Sequence, residues 1–341
     1  MEVAAAIVTH YPNLKPTIVL SGTQLLPGLF PPEVAAYYEK RLAGVRFLRG
    51  YRAERLWPSS LAGELNTVGG PKTFAEAPPQ FSECRGAVLR PRAGGADVYV
   101  PARVVLVAVG AEPNTAAFRA GNGRGGGGGG LLLAADGGIE VDVFLRTSAA
   151  AVFAAGDAAT FGLALEGGRR LRQEHVQNAR DMAVMAGGNM LRLYRATAKL
   201  ASGGAGGGNG VIAGGSAEEA EVAGLVPYTP VPYCYSRFLD CSWKFYGVAD
   251  GEVCVLGLDG VMPPHFGAFW VRDGRVVGAF LEGGTEEEQQ VLEQIARERP
   301  KVFSAAFLKK TCTLETFLDD PGKLEAEDSD MSQLLSCCRC V

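Results

Sequence analysis

Ala151-Val152-Phe153-Ala154-Ala155-Gly156-Asp157 reads as a short apolar strand ending in a glycine and a carboxylate. Buried in a parallel sheet, such a strand would deliver Asp157 to the carboxyl edge, where open α/β sheets bind their ligands. Gly156 lets a ligand approach the backbone, and the Asp157 carboxylate can accept hydrogen bonds from sugar-alcohol hydroxyls. A plain strand-ending turn would carry the same two residues.

Upstream, the pattern alternates strand and helix. Thr17 to Leu20 is a short apolar strand, Pro32 to Leu42 has helical spacing, and Val45 to Leu48 is a second strand. Val98 to Val100 and Val104 to Val109 follow, the latter a continuous apolar run expected of a strand covered on both faces. Ile139 to Val143 is a further strand, and a helix is expected from Val176 to Leu193. This alternation predicts part of a parallel α/β sheet. The character then changes. Val253 to Leu256, Phe266 to Val271 and Val276 to Leu281 are closely spaced strands, with Asp273-Gly274 as a two-residue hairpin turn. Thr285 and Glu288 form a capping box for a helix that stops before Pro300. That segment reads as an α+β module with an antiparallel sheet, and from Phe303 onward the chain reads as a polar, irregular tail.

Composition bounds the function. The chain has 341 residues, 47% hydrophobic and 21% charged, which fits a globular protein with a real core. With 33 Lys plus Arg against 37 Asp plus Glu, the net charge is −4, which disfavours nucleic-acid binding. The apolar runs are too short to cross a bilayer, and the N-terminus lacks the basic leader of a signal peptide. The 46 glycines are in excess, and many lie in two tracts, Gly121 to Gly130 and Ser202 to Ser216, which read as flexible linkers. The predicted organisation is therefore 1–118, a linker at 119–130, 131–200, a linker at 201–216, 217–302, and a tail over 303–341. The 8 cysteines and 3 histidines show no paired metal-ligand spacing, so no metal is expected. Nothing resembles a secreted disulfide scaffold, and a reducing compartment is the simpler reading.

Two further stretches could carry chemistry. Glu174-His175-Val176-Gln177-Asn178-Ala179-Arg180 opens a helix, whose free amides and partial positive charge suit an anionic ring or phosphate. A satisfied, partly buried histidine and a solvated arginine are the plainer alternatives. Val231-Pro232-Tyr233-Cys234-Tyr235-Ser236-Arg237, followed by Ser242-Trp243-Lys244-Phe245-Tyr246-Gly247, is dense in aromatics. It reads either as core or as rings stacked on a planar cofactor.

Taken in order, these pieces resemble the monodehydroascorbate reductase family. The resemblance rests on Glu112-Pro113-Asn114-Thr115, the run to Gly156-Asp157-Ala158-Ala159-Thr160-Phe161, and Glu174-His175-Val176. It continues through Tyr235-Ser236-Arg237-Phe238, Ser242 to Gly247, and Phe280-Leu281-Glu282-Gly283-Gly284-Thr285. It implies a two-dinucleotide-domain, glutathione-reductase-like flavoprotein fold, with 1–118 as a partial NAD(P)-binding domain and 131–200 as the C-terminal part of the FAD-binding domain. Segment 217–302 would be the C-terminal α+β interface domain. The implied activity is hydride transfer from NAD(P)H to FAD, then single-electron transfer to monodehydroascorbate, which recycles ascorbate. Asp157 and Gly156 would sit at the flavin's ribityl-phosphate region, and Glu174, His175 and Val176 would aim the helix terminus at its ring. Gly110 and Trp243 would also serve cofactor binding, and Arg180 and Tyr235 match positions for ascorbate binding and electron transfer.

The departures narrow this expectation. Both glycine-rich pyrophosphate motifs and the N-terminal FAD half are missing, the acidic residue expected after the Thr17 strand is Gly22, and an expected arginine is Glu112. The chain is therefore expected to be an N-terminally truncated reductase, cytoplasmic or plastid, with any targeting segment upstream of Met1. Two other readings stay open. One is another FAD-dependent reductase acting on a ferredoxin or a disulfide, for which Cys337 and Cys340 form the only C-x-x-C. The other is a non-catalytic interaction domain.

Overall fold

The computed structural model describes residues 1–58, 84–119, 130–202, 223–258 and 264–319. Most of both glycine tracts and the Cys337, Cys338 and Cys340 cluster lie outside them. Two compact units are present, one comprising Met1–Gly110 with Arg237–Asp240, the other Ala111–Ser236 with Cys241–Val341.

In the first unit, α1 (Glu2–His10) precedes β1 (Thr17–Leu20), α2 (Pro32–Arg41) and β2 (Arg46–Arg49). β1 and β2 pair in parallel from Thr17↔Arg46 to Leu20↔Arg49. Parallel neighbours need a crossover, which α2 supplies. Pro32 stands at its first turn, where the missing N–H costs nothing. Val34, Ala35 and Tyr38 form its buried face, and the Tyr38 ring stacks on Phe30 at 5.0 Å. An antiparallel sheet follows, of β3 (Tyr51–Pro58), β4 (Cys84–Pro91) and β5 (Val98–Pro101), with β4 central.

The expected strand at Val104 to Val109 does not form. The run is irregular backbone, and Val104 and Val109 are each 84% exposed. An apolar run becomes a central strand only where neighbours offer a hydrogen-bond ladder on both sides, and among the described residues none does.

In the second unit, β6 is only Ile139–Glu140, so the strand expected to reach Val143 is cut to two residues. It pairs in parallel with β7 (Ala159–Leu163), which pairs antiparallel with β8 (Arg169–Leu171). Ala151 to Ala155 is likewise not a strand. Ala151 adopts φ +58°, and the segment contributes one isolated bridge, Arg146↔Phe153. α3 (Val176–Ser202) runs past the expected end at Leu193. Asn178, Met182, Ala186, Asn189 and Leu193 recur at three- and four-residue spacing along its buried face.

The remainder is a five-stranded antiparallel sheet, ordered β11 (Glu252–Leu256), β12 (Phe266–Arg272), β13 (Arg275–Glu282), β10 (Cys241–Gly247), β9 (Tyr233–Phe238). Asp273 and Gly274 take φ +51° and +67°, the left-handed pair that a tight two-residue hairpin requires. Gly247 has φ +88°, and a Cβ there would stand 2.3 Å from the Val277 carbonyl, so that motif glycine has a steric cause. α4 (Glu286–Glu298) opens on the complete Thr285–Glu288 capping box.

The tail is not irregular at its start. α5 (Ala305–Thr311) and α6 (Leu314–Asp319) place Leu308, Leu314 and Phe317 in the core with Phe269, Leu281 and Leu292. The Phe269 and Phe317 ring centroids are 4.1 Å apart.

Candidate functional site

The turn that leads into β7, at the amino end of that strand and not at the carboxyl edge the sequence suggested, meets the N-terminus of α3 at one corner. Gly156 opens a three-residue 3-10 turn, Gly156–Ala158, with φ +76°. It is buried, and a Cβ there would meet the Ala179 Cβ of α3 at 3.4 Å. The turn presents Asp157, which is exposed. Thus the pair is presented by a turn rather than by a strand end, but the carboxylate faces solvent beside a helix terminus.

His175 immediately precedes α3. Its Nδ1 accepts from the Gln177 amide at 3.2 Å, which leaves a neutral imidazole's proton on Nε2. Partial burial lowers its pKa below the ordinary value, and the nearby Asp157 carboxylate opposes that shift. Tyr233 and Tyr235 each meet the imidazole edge-on at 5.3 Å. Their own rings lie 5.9 Å apart at 29°. Tyr235 is 45% exposed and forms the outer wall of this corner. Tyr246 adds a ring behind Tyr233 at 4.7 Å, and burial first, then Tyr233, raises its hydroxyl pKa far above the ordinary value.

The N-terminus of α3 is fixed by side chains. Asn178 is buried, donating to the Gln173 carbonyl at 3.2 Å and accepting from the Tyr228 hydroxyl at 2.9 Å. Gln173 donates to the Tyr233 carbonyl at 2.6 Å, which ties β9 to the helix entry. Val176 is exposed at the helix start, where the first amides have no intrahelical acceptor.

The structure thus gathers Gly156, Asp157, Glu174, His175, Val176 and Tyr235. Arg180 shares the exposed face of α3 with Val176 and Val184, at i, i+4 and i+8. Trp243 is not part of the corner. It is 4% exposed and packs on Phe280 at 5.6 Å, because the period of β10 turns it inward with Phe245. It fills core and offers no face for a planar cofactor. Gly110 belongs to the first unit, where it is exposed with φ +95°, and a Cβ there would meet nothing within 4 Å. Sequence reasoning quoted Tyr233 only within its aromatic stretch and did not single out Arg172. Tyr233 lies two residues before Tyr235, hence on the same strand face, and Arg172 two residues before Glu174.

Gly156 and Asp157 together with the α3 terminus fit the ribityl and ring portion of a flavin. They offer an exposed carboxylate for hydroxyls and the positive end of a helix dipole for developing negative charge. The first unit offers no carboxylate directly after β1. Ser21 and Gly22 follow Leu20, and the Gly22 carbonyl accepts from the Gly50 amide at 3.0 Å.

Comparison with known proteins gives a consistent frame. The profile of the family described as pyridine nucleotide-disulphide oxidoreductase matches residues 1–183. That described as monodehydroascorbate reductase 3-like, C-terminal domain, matches residues 231–315. Monodehydroascorbate reductase 3 of Arabidopsis thaliana is 32% identical over 314 residues, covering 91% of this chain and 57% of the relative. Monodehydroascorbate reductase 1, peroxisomal, of Oryza sativa subsp. japonica is 33% identical, covering 91% and 53%. The chain therefore spans little more than half the length of these relatives. Among solved structures, a covalent putidaredoxin reductase–putidaredoxin complex aligns with TM-score 0.62 at 21% identity, over 95% of this chain and 61% of that one. A FAD-dependent pyridine nucleotide-disulphide oxidoreductase from Desulfovibrio vulgaris aligns with TM-score 0.59 at 16% identity, over 94% and 66%. These two likenesses concern the fold. Among the described residues, no helix is long and apolar enough to cross a membrane.

Proposed function

The chain belongs to the pyridine nucleotide-disulphide oxidoreductase family, and on that premise we propose that it acts as an NAD(P)H:monodehydroascorbate oxidoreductase with FAD as the carrier. The observation that supports the acceptor most is the corner at His175, where an exposed Tyr235 ring stands beside the α3 terminus and the Asp157 carboxylate. The monodehydroascorbate reductases that align over nine-tenths of the chain support the same acceptor.

Bound FAD would supply the conversion of a two-electron hydride into single electrons. The chain's own residues do the rest. Asp157 would accept hydrogen bonds from the ribityl hydroxyls, and Gly156 lets the turn that carries it pack closely on Ala179 of α3. The positive end of the α3 dipole would stabilise negative charge at the flavin ring. Tyr235 offers an aromatic face against a planar acceptor, and Arg180 holds an anionic enediolate by charge-assisted hydrogen bonds. His175, neutral near pH 7, braces Tyr235 without adding a competing charge.

Among related monodehydroascorbate reductases of Oryza sativa subsp. japonica, one is described as cytosolic and another as peroxisomal, and the reducing cytosol suits this chain. A second reading is favoured by the exposed run Val104 to Val109, which leaves apolar surface on the first unit. In that reading the chain alone is a non-catalytic interaction domain.

One experiment separates them. The purified chain is reconstituted with FAD, and NAD(P)H oxidation is followed with enzymatically generated ascorbate radical. Stoichiometric flavin and radical-dependent turnover support the reductase. A colourless chain that takes up no FAD overturns it.

A further inference from the structure

We propose that Arg172 is a positioning residue whose guanidinium clamps the Asp157 turn to the entry of α3, setting the spacing between that carboxylate and the helix terminus. The inference concerns the same corner and rests on its reading as the flavin site.

The Arg172 side chain is only 13% exposed and reaches four segments of the second unit. Its Nη1 donates to the Asp157 carbonyl at 3.2 Å and to Glu174 Oε1 at 2.5 Å. Nη2 points to the Ala111 carbonyl at 3.5 Å, and Nε lies 3.7 Å from Asp136 Oδ2. Asp136 is itself held by the Thr160 hydroxyl, at 2.9 and 3.1 Å to its two oxygens. Gly138 makes room, since a Cβ there would approach Arg172 Cδ to 3.0 Å and Thr160 Oγ1 to 2.1 Å.

Three features separate this from a decorative ion pair. First, Arg172 binds the Asp157 turn through its main-chain oxygen, which leaves the carboxylate exposed for a ligand. Second, one nitrogen links both sides of the proposed site, the turn and the residue before His175. Third, the planar fork is what lets a single side chain serve acceptors lying in different directions. Its carboxylate partners are well solvated, Glu174 at 36% and Asp136 at 40% exposure. Loss of the arginine therefore lets both rehydrate, and the damage stays local rather than spreading through the core.

The test uses the whole chain with Arg172→Gln and Arg172→Lys. Three quantities are read: hydrogen exchange along the backbone, thermal stability without flavin, and FAD affinity by fluorescence. In Arg172→Gln, exchange should accelerate at Gly156–Ala158 and the first turn of α3, while the five-stranded sheet is unchanged and Tm barely moves. FAD affinity should fall about tenfold to hundredfold, the usual scale for removing a group that orients a binding residue. Arg172→Lys should lie between, because it keeps the charge and loses the fork. Unchanged exchange at both segments, or an equal rise across the whole chain with a lower Tm, overturns the clamp. If the parent chain takes up no FAD while Arg172→Gln still loosens only these two segments, the clamp stands and the flavin reading fails.

Discussion

The imidazole of His175 meets the ring of Tyr235 edge-on, centroids 5.3 Å apart and planes at 80°. One residue comes from the loop that enters α3 and the other from β9, so the contact fixes the exposed ring against the helix terminus. The Gln177 amide meanwhile occupies Nδ1, so the neutral ring carries its proton on Nε2.

His175 should therefore titrate below its ordinary value of 6.5, with burial as the main cause. Asp157→Asn should lower it further, since that carboxylate is what favours the charged form. The unfolded chain binds this proton more readily, so the group costs stability as pH falls from 6.5 through the folded pKa. Two-dimensional NMR of the imidazole across pH 4–8 measures both shifts. A His175 pKa above the free value would refute this picture of the corner.

Glu166 anchors the β7–β8 connection to the C-terminal sheet. Its side chain is 5% exposed, with Arg272 Nη2 at 2.9 Å from both oxygens and Arg299 Nη2 at 2.5 Å from one. Burial alone would raise its pKa, but the two guanidiniums outweigh that and hold it below 4.5. Removing the carboxylate leaves Arg272 with Asp250 at 2.7 Å and Arg299 with the Leu165 carbonyl, so Glu166→Gln should cost about 1–3 kcal/mol in urea melts at neutral pH. Sign and window follow from the lowered value. The contribution is full above the ordinary carboxylate pKa and is lost as pH falls through the folded one. The variant and the parent should therefore converge in acid.

Cys234 lies between the two site tyrosines, and burial pushes its thiol up to about 11. From an ordinary 9.0 that is a hundredfold smaller thiolate fraction near neutral pH. Mass-spectrometric timing of alkylation should find Cys234 about a hundredfold slower than an unperturbed thiol. Rapid labelling would instead admit a reactive thiol on the other face of β9 and favour a disulfide acceptor.

Where a local device is complete, the sequence sufficed to place it. Thr285 with Glu288 contains both halves of its capping box, and Asp273-Gly274 contains both left-handed residues of its hairpin. What failed depends on neighbours. Val104 to Val109 has a strand's composition, but no strand among those described pairs with it, and Ala151 to Ala155 is bent by a left-handed Ala151. α5 and α6, of 7 and 6 residues, are too short to show a period and exist because Leu308 and Phe317 find Phe269 and its neighbours. At the site, Asp157, Glu174, His175 and Tyr235 were legible as motif residues. That Trp243 is buried could not be read in advance, because an aromatic-rich stretch does not announce which of its alternating faces turns inward. Arg172 was invisible because three of its partners, Ala111, Asp136 and Asp157, come from segments distant in sequence.

The most direct test of the account compares two acceptors in the FAD-reconstituted chain and in its Arg180→Ala and Tyr235→Ala variants. Arg180 and Tyr235 are both exposed, so neither substitution should disturb folding or flavin content. For the ascorbate radical, Arg180→Ala should lower kcat/KM about tenfold to hundredfold, the scale of one charge-assisted contact. Tyr235→Ala should also impair it, and Tyr235→Phe less so, because stacking survives the loss of the hydroxyl. Ferricyanide reduction should change little in all three variants. Equal losses with the radical and with ferricyanide would contradict the assignment, as would radical reduction that none of the three substitutions impairs.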